Sequence, residues 1–265
     1  MKIEAINNNE ISQLSHLQPE GWVDISLPFD FYTRSAYCFP VKISVNERII
    51  GIGTTIIHAD VAWLGHIIVH KDYRCRGFGQ LITQTLIDIA QENNCATIYL
   101  IATELGEPVY RKKGFITETA YLFYKNVSQR EWITSDNIFP YEEKYKEHYS
   151  FFDKRISGEN RLLHLERYLN SAFVYHIENT VSGYYLPDLG EGLIIADDDC
   201  AGIELLKLHL KQNTHVVFPK ENNTAQKFLQ QIGFGEVKEV KRMRLGRERT
   251  VRFGNIYSRI GGNLG

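Results

Sequence analysis

A chain of 265 residues is long enough for two domains of ordinary size and a sizeable buried core. Its 43% apolar and 23% charged residues match an average globular protein and exclude extended disorder, a collagen-like repeat or a membrane channel. A formal charge of -2 gives no global field that would mark the protein as a nucleic-acid or membrane binder.

The first ten residues hold one Lys and no apolar run, and no stretch reaches the roughly 18 apolar residues of a spanning helix. Cys38, Cys75, Cys95 and Cys200 form no C-x-x-C pair, so neither a zinc ribbon nor a disulfide framework is written here. Reduced thiols and a cytoplasmic location are the expectation.

Strand-like runs rich in Ile and Val are expected at about 38–45, 48–58 and 61–70. After Gly77, the spacing of Phe78, Ile82, Leu86, Ile89 and Ala90 predicts a helix with one apolar stripe, ended by Asn93 and Asn94. A strand at 95–102, a short helix at 104–113 stopped by Gly114, and a strand at 115–124 follow. Around 127–150 the periodicity fades. Helices are then expected at 142–155, 159–169, 200–212 and 222–232, and strands at 171–179, 192–196 and 214–218, with a closing strand after them. Tyr110 to Phe115 and Leu229 to Phe234 each read as a short helix stopped by Gly-Phe, 119 residues apart, and the element order before them agrees. This predicts a mixed α/β fold built twice, as residues 1–130 and 131–265.

The chemistry concentrates between a strand and a helix, in Val69 to Gln80. Gly77 and Gly79 allow an anion to approach the turn, the following backbone N–H groups lack intrahelical partners, and Arg74 and Arg76 add charge. Glycines also favour a plain strand-to-helix turn. The segment is not a P-loop, because no Gly-Lys-Ser/Thr follows, and it lacks the three-glycine dinucleotide fingerprint.

Arg74-x-x-Gly77-x-Gly79, five residues after Val69, resembles the acetyl-CoA signature of the GNAT N-acetyltransferase superfamily. Thr103 to Phe115 resembles the family's later helix, with Tyr110 four residues before Gly-Phe. Gly21-Trp22 and Trp63-Leu64-Gly65 resemble a bacterial subgroup carrying a second, degenerate acetyltransferase-like domain at the C-terminus. The resemblance implies two tandem GNAT-like domains and an N-acetyltransferase using acetyl-CoA as co-substrate. Backbone groups at Ile68 and Val69 would hold the pantetheine arm and polarise the acetyl carbonyl. Arg74, Cys75, Arg76, Gly77, Phe78, Gly79 and Gln80 would cradle the pyrophosphate. Tyr110 would protonate the departing thiolate, the other reading being a core tyrosine.

The general base is open. The strand positions where relatives place one hold Gly65 and Trp63, which cannot ionise. Strand alternation turns His66 away from Val69, Gly65 and Trp63 unless a bulge resets the parity. Asp24, Asp30 and a water relay are the other candidates. A non-catalytic acyl-CoA-binding or regulatory module is the alternative function.

In the second half Leu229 stands where the first has Tyr110, and Asp197, Asp198 and Asp199 stand where the phosphate turn would be. Three carboxylates repel a pyrophosphate. A helix N-cap there is favoured over a metal site, and no metal is expected. Between Lys238 and Arg259 eight basic residues face two Glu. Internal salt bridges explain them better than nucleic acid. The aromatic cluster Phe139, Tyr141, Tyr145, Tyr149, Phe151 and Phe152 is expected to pack between domains. The expected partner is a small-molecule or protein amine.

Overall fold

The structure is a computed structural model and describes residues 2–126, 131–178 and 180–265. It is a mixed α/β fold of two compact units: Met1–Thr117 with Met243–Glu248 and Gly262–Leu264, and Glu118–Arg242 with Arg249–Gly261 and Gly265. The division expected at 130/131 falls at residues 127–130, which lie outside the described residues.

In unit 1 the chain forms β1 (Lys2–Ala5), α1 (Ser26–Arg34), β2 (Cys38–Val45), β3 (Arg48–His58), β4 (Val61–Val69), α2 (Phe78–Glu92), β5 (Thr97–Ala102) and α3 (Glu107–Lys112). The strands stand in the order β1-β2-β3-β4-β5. They pair antiparallel except β4 with β5, which is parallel across the α2 crossover. The alternating side chains of the sheet face two cores. Ile50, Leu64 and Leu100 pack with Ile82 and Leu86 of α2 on one side, and Ile52, Trp63 and Tyr99 pack with Phe29 and Tyr32 of α1 on the other. α2 lies very close to β3: a Cβ on Gly51 or Gly53 would stand 2.8 Å from Ile82. α2 ends where Asn93 donates its side-chain amide to the Ile89 carbonyl at 2.8 Å.

Two late segments complete this unit. At Met243–Glu248 the chain runs beside β5, the Arg247 N–H donating to the Ala96 carbonyl at 2.8 Å while Met243 is fully buried. At Gly262–Leu264 it returns to the α1 side, where Asn263 donates to the Tyr32 hydroxyl at 2.6 Å.

Unit 2 holds nearly all of β6 (Ile116–Lys125), then β7 (Ile138–Pro140), α4 (Lys146–Ser157), α5 (Leu162–Leu165), β8 (Phe173–Ile177), β9 (Thr180–Leu186), β10 (Leu193–Ala196), α6 (Asp199–Leu210), β11 (His215–Pro219), α7 (Asn223–Gln231), most of β12 (Gly235–Gly246) and β13 (Ile256–Ser258). β13-β10-β9-β8-β7 form an antiparallel sheet, and β6 pairs antiparallel with β11. Leu205 of α6, Leu229 of α7, Ile194 and Phe218 form its fully buried centre.

Two expectations change here. Tyr149 and Phe152 are buried against Tyr184 inside unit 2 and Phe151 is exposed, so the aromatic cluster packs within this unit. The predicted helix at 159–169 is only the short α5 followed by a 3-10 turn. The basic tail does form internal ion pairs, Arg242 with Glu118 and Glu159, and Arg259 with Glu191.

Candidate active site

β4 and β5 pair only from Val61 with Thr97 to Leu64 with Leu100, although both strands continue. From Gly65 to Val69 the edge of β4 facing β5 is therefore without a strand partner among the described residues. On its other edge β4 stays with β3 as far as Gly51 opposite Val69.

The direction of the backbone groups follows from the ladder. His70 N–H donates to the Ile50 carbonyl at 2.8 Å, and antiparallel pairs alternate, so Ile68 is bonded to Ile52 and Val69 is not bonded to Gly51. Val69 thus turns its N–H and C=O into the gap beside β4. Ile68 differs from the sequence expectation: its groups face β3, and its oxygen lies 3.2 Å from where a Gly51 Cβ would be.

The next turn lies over the gap. Val69 O accepts from Arg74 Nε at 3.1 Å. Cys75 has φ +60° and Gly77 φ +86°, and this double left-handed kink aims the chain into α2. Glycine carries the second kink without a Cβ penalty, and a Cβ at Gly77 would meet nothing within 4 Å. The first N–H groups of α2, at Phe78, Gly79 and Gln80, have no hydrogen-bond acceptor among the described residues and stand at the positive end of a 15-residue helix. Arg74, Cys75, Arg76 and Gln80 are exposed around it, with the Arg76 guanidinium 5.5 Å from the Tyr73 ring centre. These are the features a pyrophosphate needs.

Tyr110 projects from α3 into the α2-side core, edge-on to Phe115, and a Cβ on Gly106 would come within 2.7 Å of its ring. The ring is 7% exposed, and its hydroxyl makes no hydrogen bond among the described residues. Burial pushes its pKa up to about 12, so the phenol keeps its proton at neutral pH.

The parity expected for His66 is overturned relative to Gly65 and Trp63, while His66 still faces away from Val69, whose side chain packs in the α2-side core. Ile52 to Thr54 on β3 spans two steps while Ile68 to Gly65 on β4 spans three, so β4 carries one extra residue, and His66 has φ +51°. The bulge puts Gly65 and His66 on the same face. A Cβ on Gly65 would lie 2.8 Å from the Cβ of Asn263, and the His66 ring contacts Phe29, Tyr32 and Trp22. Burial lowers the His66 pKa to about 4, so the ring is neutral. Asp24 accepts the Ser26 N–H at 2.9 Å, a bond that holds its exposed carboxyl below the usual range. Asp30 is occupied by Arg34 at 2.7 Å and Asn8 at 3.0 Å. Sequence reasoning missed Tyr32 and Asn263, which carry no motif; Tyr32 meets His66, and Asn263 meets Tyr32, only through folding.

The corresponding places in unit 2 are closed. Asp198 caps α6 by accepting the Ala201 N–H at 2.8 Å, Asp199 accepts the Tyr257 hydroxyl at 2.8 Å, and Asp197 pairs with Arg155. A Cβ on Gly202 would overlap the Tyr257 ring, and Leu229 is fully buried.

Comparison with known proteins agrees with this geometry. No curated protein matches the sequence. A structure from Pyrococcus horikoshii, assigned provisionally as an acetyltransferase, superposes with a TM-score of 0.83 over 100% of this chain and 95% of its own at 20% identity. A tandem GNAT protein from the clavulanic acid biosynthesis pathway gives 0.63 over 94% of this chain and 99% of its own at 11% identity. A GCN5-related N-acetyltransferase from Anabaena variabilis gives 0.59 over 92% and 72% at 12% identity. At such identities the likeness is one of fold. Residues 4–115 also match by sequence the family described as Acetyltransferase (GNAT) family, so this part of the chain carries a GNAT-type domain.

Proposed function

We propose that the chain is an N-acetyltransferase that uses acetyl-CoA as co-substrate and binds it once, in unit 1. The carrying observation is the free edge of β4 with Val69 N–H and C=O turned into it, directly before a left-handed turn that opens the N-terminus of α2. On this reading the pantetheine arm lies along that edge and the pyrophosphate on Arg74 to Gln80. The amine attacks the thioester carbon, a carbon–nitrogen bond forms, and the carbonyl oxygen becomes an oxyanion facing the Val69 N–H. The carbon–sulfur bond then breaks, the Tyr110 hydroxyl gives its proton to the thiolate, the proton lost by the amine leaves to solvent, and the tyrosinate regains a proton from solvent.

Residues 131–265 are read as a degenerate second GNAT-like domain. Its helix N-terminus is capped by Asp198, and it has Leu229 in place of a proton donor. Among the described residues no helix is long and apolar enough to cross a membrane, and we take the cytoplasm as the compartment. Calorimetry with acetyl-CoA tests the reading: one site per chain is expected, lost in Gly77→Asp and Gly79→Asp. Unchanged binding in both variants contradicts it.

A second reading is an acyl-CoA-binding module without turnover. It is favoured by the lack of an ionisable side chain at Trp63 and Gly65 and by the neutral state of His66. Acceptor-dependent release of free thiol separates the two.

A further inference from the structure

The bulge in β4 seats the His66 ring in an aromatic wall, 5.8 Å from Phe29, 5.6 Å from Tyr32 and 6.1 Å from Trp22 between ring centres. Its Nδ1 lies 3.1 Å from the Tyr32 hydroxyl oxygen, which accepts an N–H of Asn263 at 2.6 Å. With that bond accepted, the Tyr32 hydroxyl has its own proton to give, and His66 Nδ1 is the atom it faces. Nδ1 is then the acceptor, and the neutral ring carries its proton on Nε2. Nε2 makes no hydrogen bond among the described residues, and the ring is partly open to solvent. Burial disfavours the imidazolium, so this ring is poorly suited to take a proton from an amine. What it offers is a fixed N–H donor three residues before Val69.

Resting on the acetyltransferase reading, we propose that His66 Nε2–H binds an oxygen of the acceptor, so that the acceptor is an amine bearing a neighbouring carboxylate or carbonyl, its apolar body lying against the exposed Trp22 ring. Tyr32 and Asn263 act through His66 as positioning residues: they hold the tautomer and the ring angle. The C-terminal segment Gly262–Leu264 therefore contributes to acceptor choice. Gly65 supports the same arrangement, because any side chain there would displace Asn263.

The test uses the full chain, acetyl-CoA and matched acceptors: phenylalanine, its amide, a tripeptide beginning with phenylalanine, and phenethylamine, with the corresponding leucine and tryptophan sets. The carboxylate, amide and peptide arms identify which oxygen is read. An oxygen-bearing member is expected to exceed its decarboxylated amine in kcat/KM by about 10-fold or more, chiefly through KM. His66→Ala should erase that preference and leave acetyl-CoA affinity unchanged. His66→Gln, whose amide N–H can stand in for Nε2–H, should retain most of it, and Tyr32→Phe and Asn263→Ala should raise the acceptor KM. Equal or better use of the decarboxylated amines by the unaltered protein overturns the proposal without need of any variant. So does a His66→Gln variant in which kcat collapses at unchanged KM, the mark of a proton acceptor. Turnover of none of the sets by a protein that binds acetyl-CoA also overturns it, whereas failure to bind acetyl-CoA removes the acetyltransferase reading itself.

Discussion

Arg74 reaches back to the end of the strand it follows, its Nε donating to the Val69 carbonyl oxygen at 3.1 Å. The bond uses one edge of the guanidinium and leaves the terminal N–H groups for an anion, so one side chain ties the turn to the strand and also supplies charge. Arg74→Ala is expected to weaken acetyl-CoA binding by about 10- to 100-fold, the scale of a lost charged hydrogen bond. Arg74→Lys keeps the charge without the fork and should fall between. Titration calorimetry reads both, and full affinity in the Ala variant would remove Arg74 from the site.

Gly65 and Asn263 are close in space and distant in sequence. A Cβ on Gly65 would lie 2.8 Å from the Asn263 Cβ and 3.4 Å from its Cα. Gly65→Ala should therefore destabilise the protein by about 1–3 kcal/mol through overpacking. In an Asn263→Gly background the same change should cost much less. Urea unfolding of the four proteins measures the coupling, and additive effects would show that the C-terminal segment does not rest on β4 in solution.

Stability should fall with acid for a specific reason. Burial lowers the pKa of His66 and of His209 to about 4, against an ordinary value of 6.5. Between those values the unfolded chain binds protons that the folded one refuses, so the stability present above pH 6.5 is lost as pH falls toward 4. Each group contributes on the order of 2 kcal/mol of loss by pH 5. Urea midpoints at pH 7.5 and pH 5 should show a smaller drop in His66→Gln than in the unaltered protein. Equal drops would mean that His66 titrates normally.

Tyr110 separates packing from chemistry. Tyr110→Phe keeps the ring against Phe115 and should leave the melting temperature and acetyl-CoA affinity nearly unchanged. Without a proton donor for the thiolate, kcat should fall by on the order of 10²-fold with little change in KM. Because its pKa is pushed up to about 12, ionisation of Tyr110 should leave kcat unaffected below about pH 10. A folded Phe variant with full kcat, measured where chemistry limits the rate, would return Tyr110 to the core.

Much of unit 1 is legible in the sequence because local signals and tertiary structure agree there. β2 and β3 occupy the expected 38–45 and 48–58, and the stripe from Phe78 to Ala90 gives α2. The phosphate turn is readable because backbone geometry demands particular residues, a glycine at φ +86° most of all. α1 and β9 carry weak local signals: Ser26–Arg34 holds Pro28 and mixed aromatics with little helical pattern, and β9 alternates weakly around Ser182 and Gly183. The orientation of His66 was not legible either, since one extra residue in β4 reverses a parity that periodicity alone assigns. Tyr32 and Asn263 are separated by 231 positions, and nothing local to either residue announces their hydrogen bond.

The most direct test of the central claim is release of coenzyme A thiol from acetyl-CoA, followed with and without an amine across a panel of amino acids, peptides, polyamines and aminoglycoside-like amines. The account predicts release that depends on at least one acceptor, matches the acetylated product mole for mole, and disappears in Gly77→Asp. Tight acetyl-CoA binding with no acceptor-dependent thiol release for any amine would contradict it and leave unit 1 as a binding module.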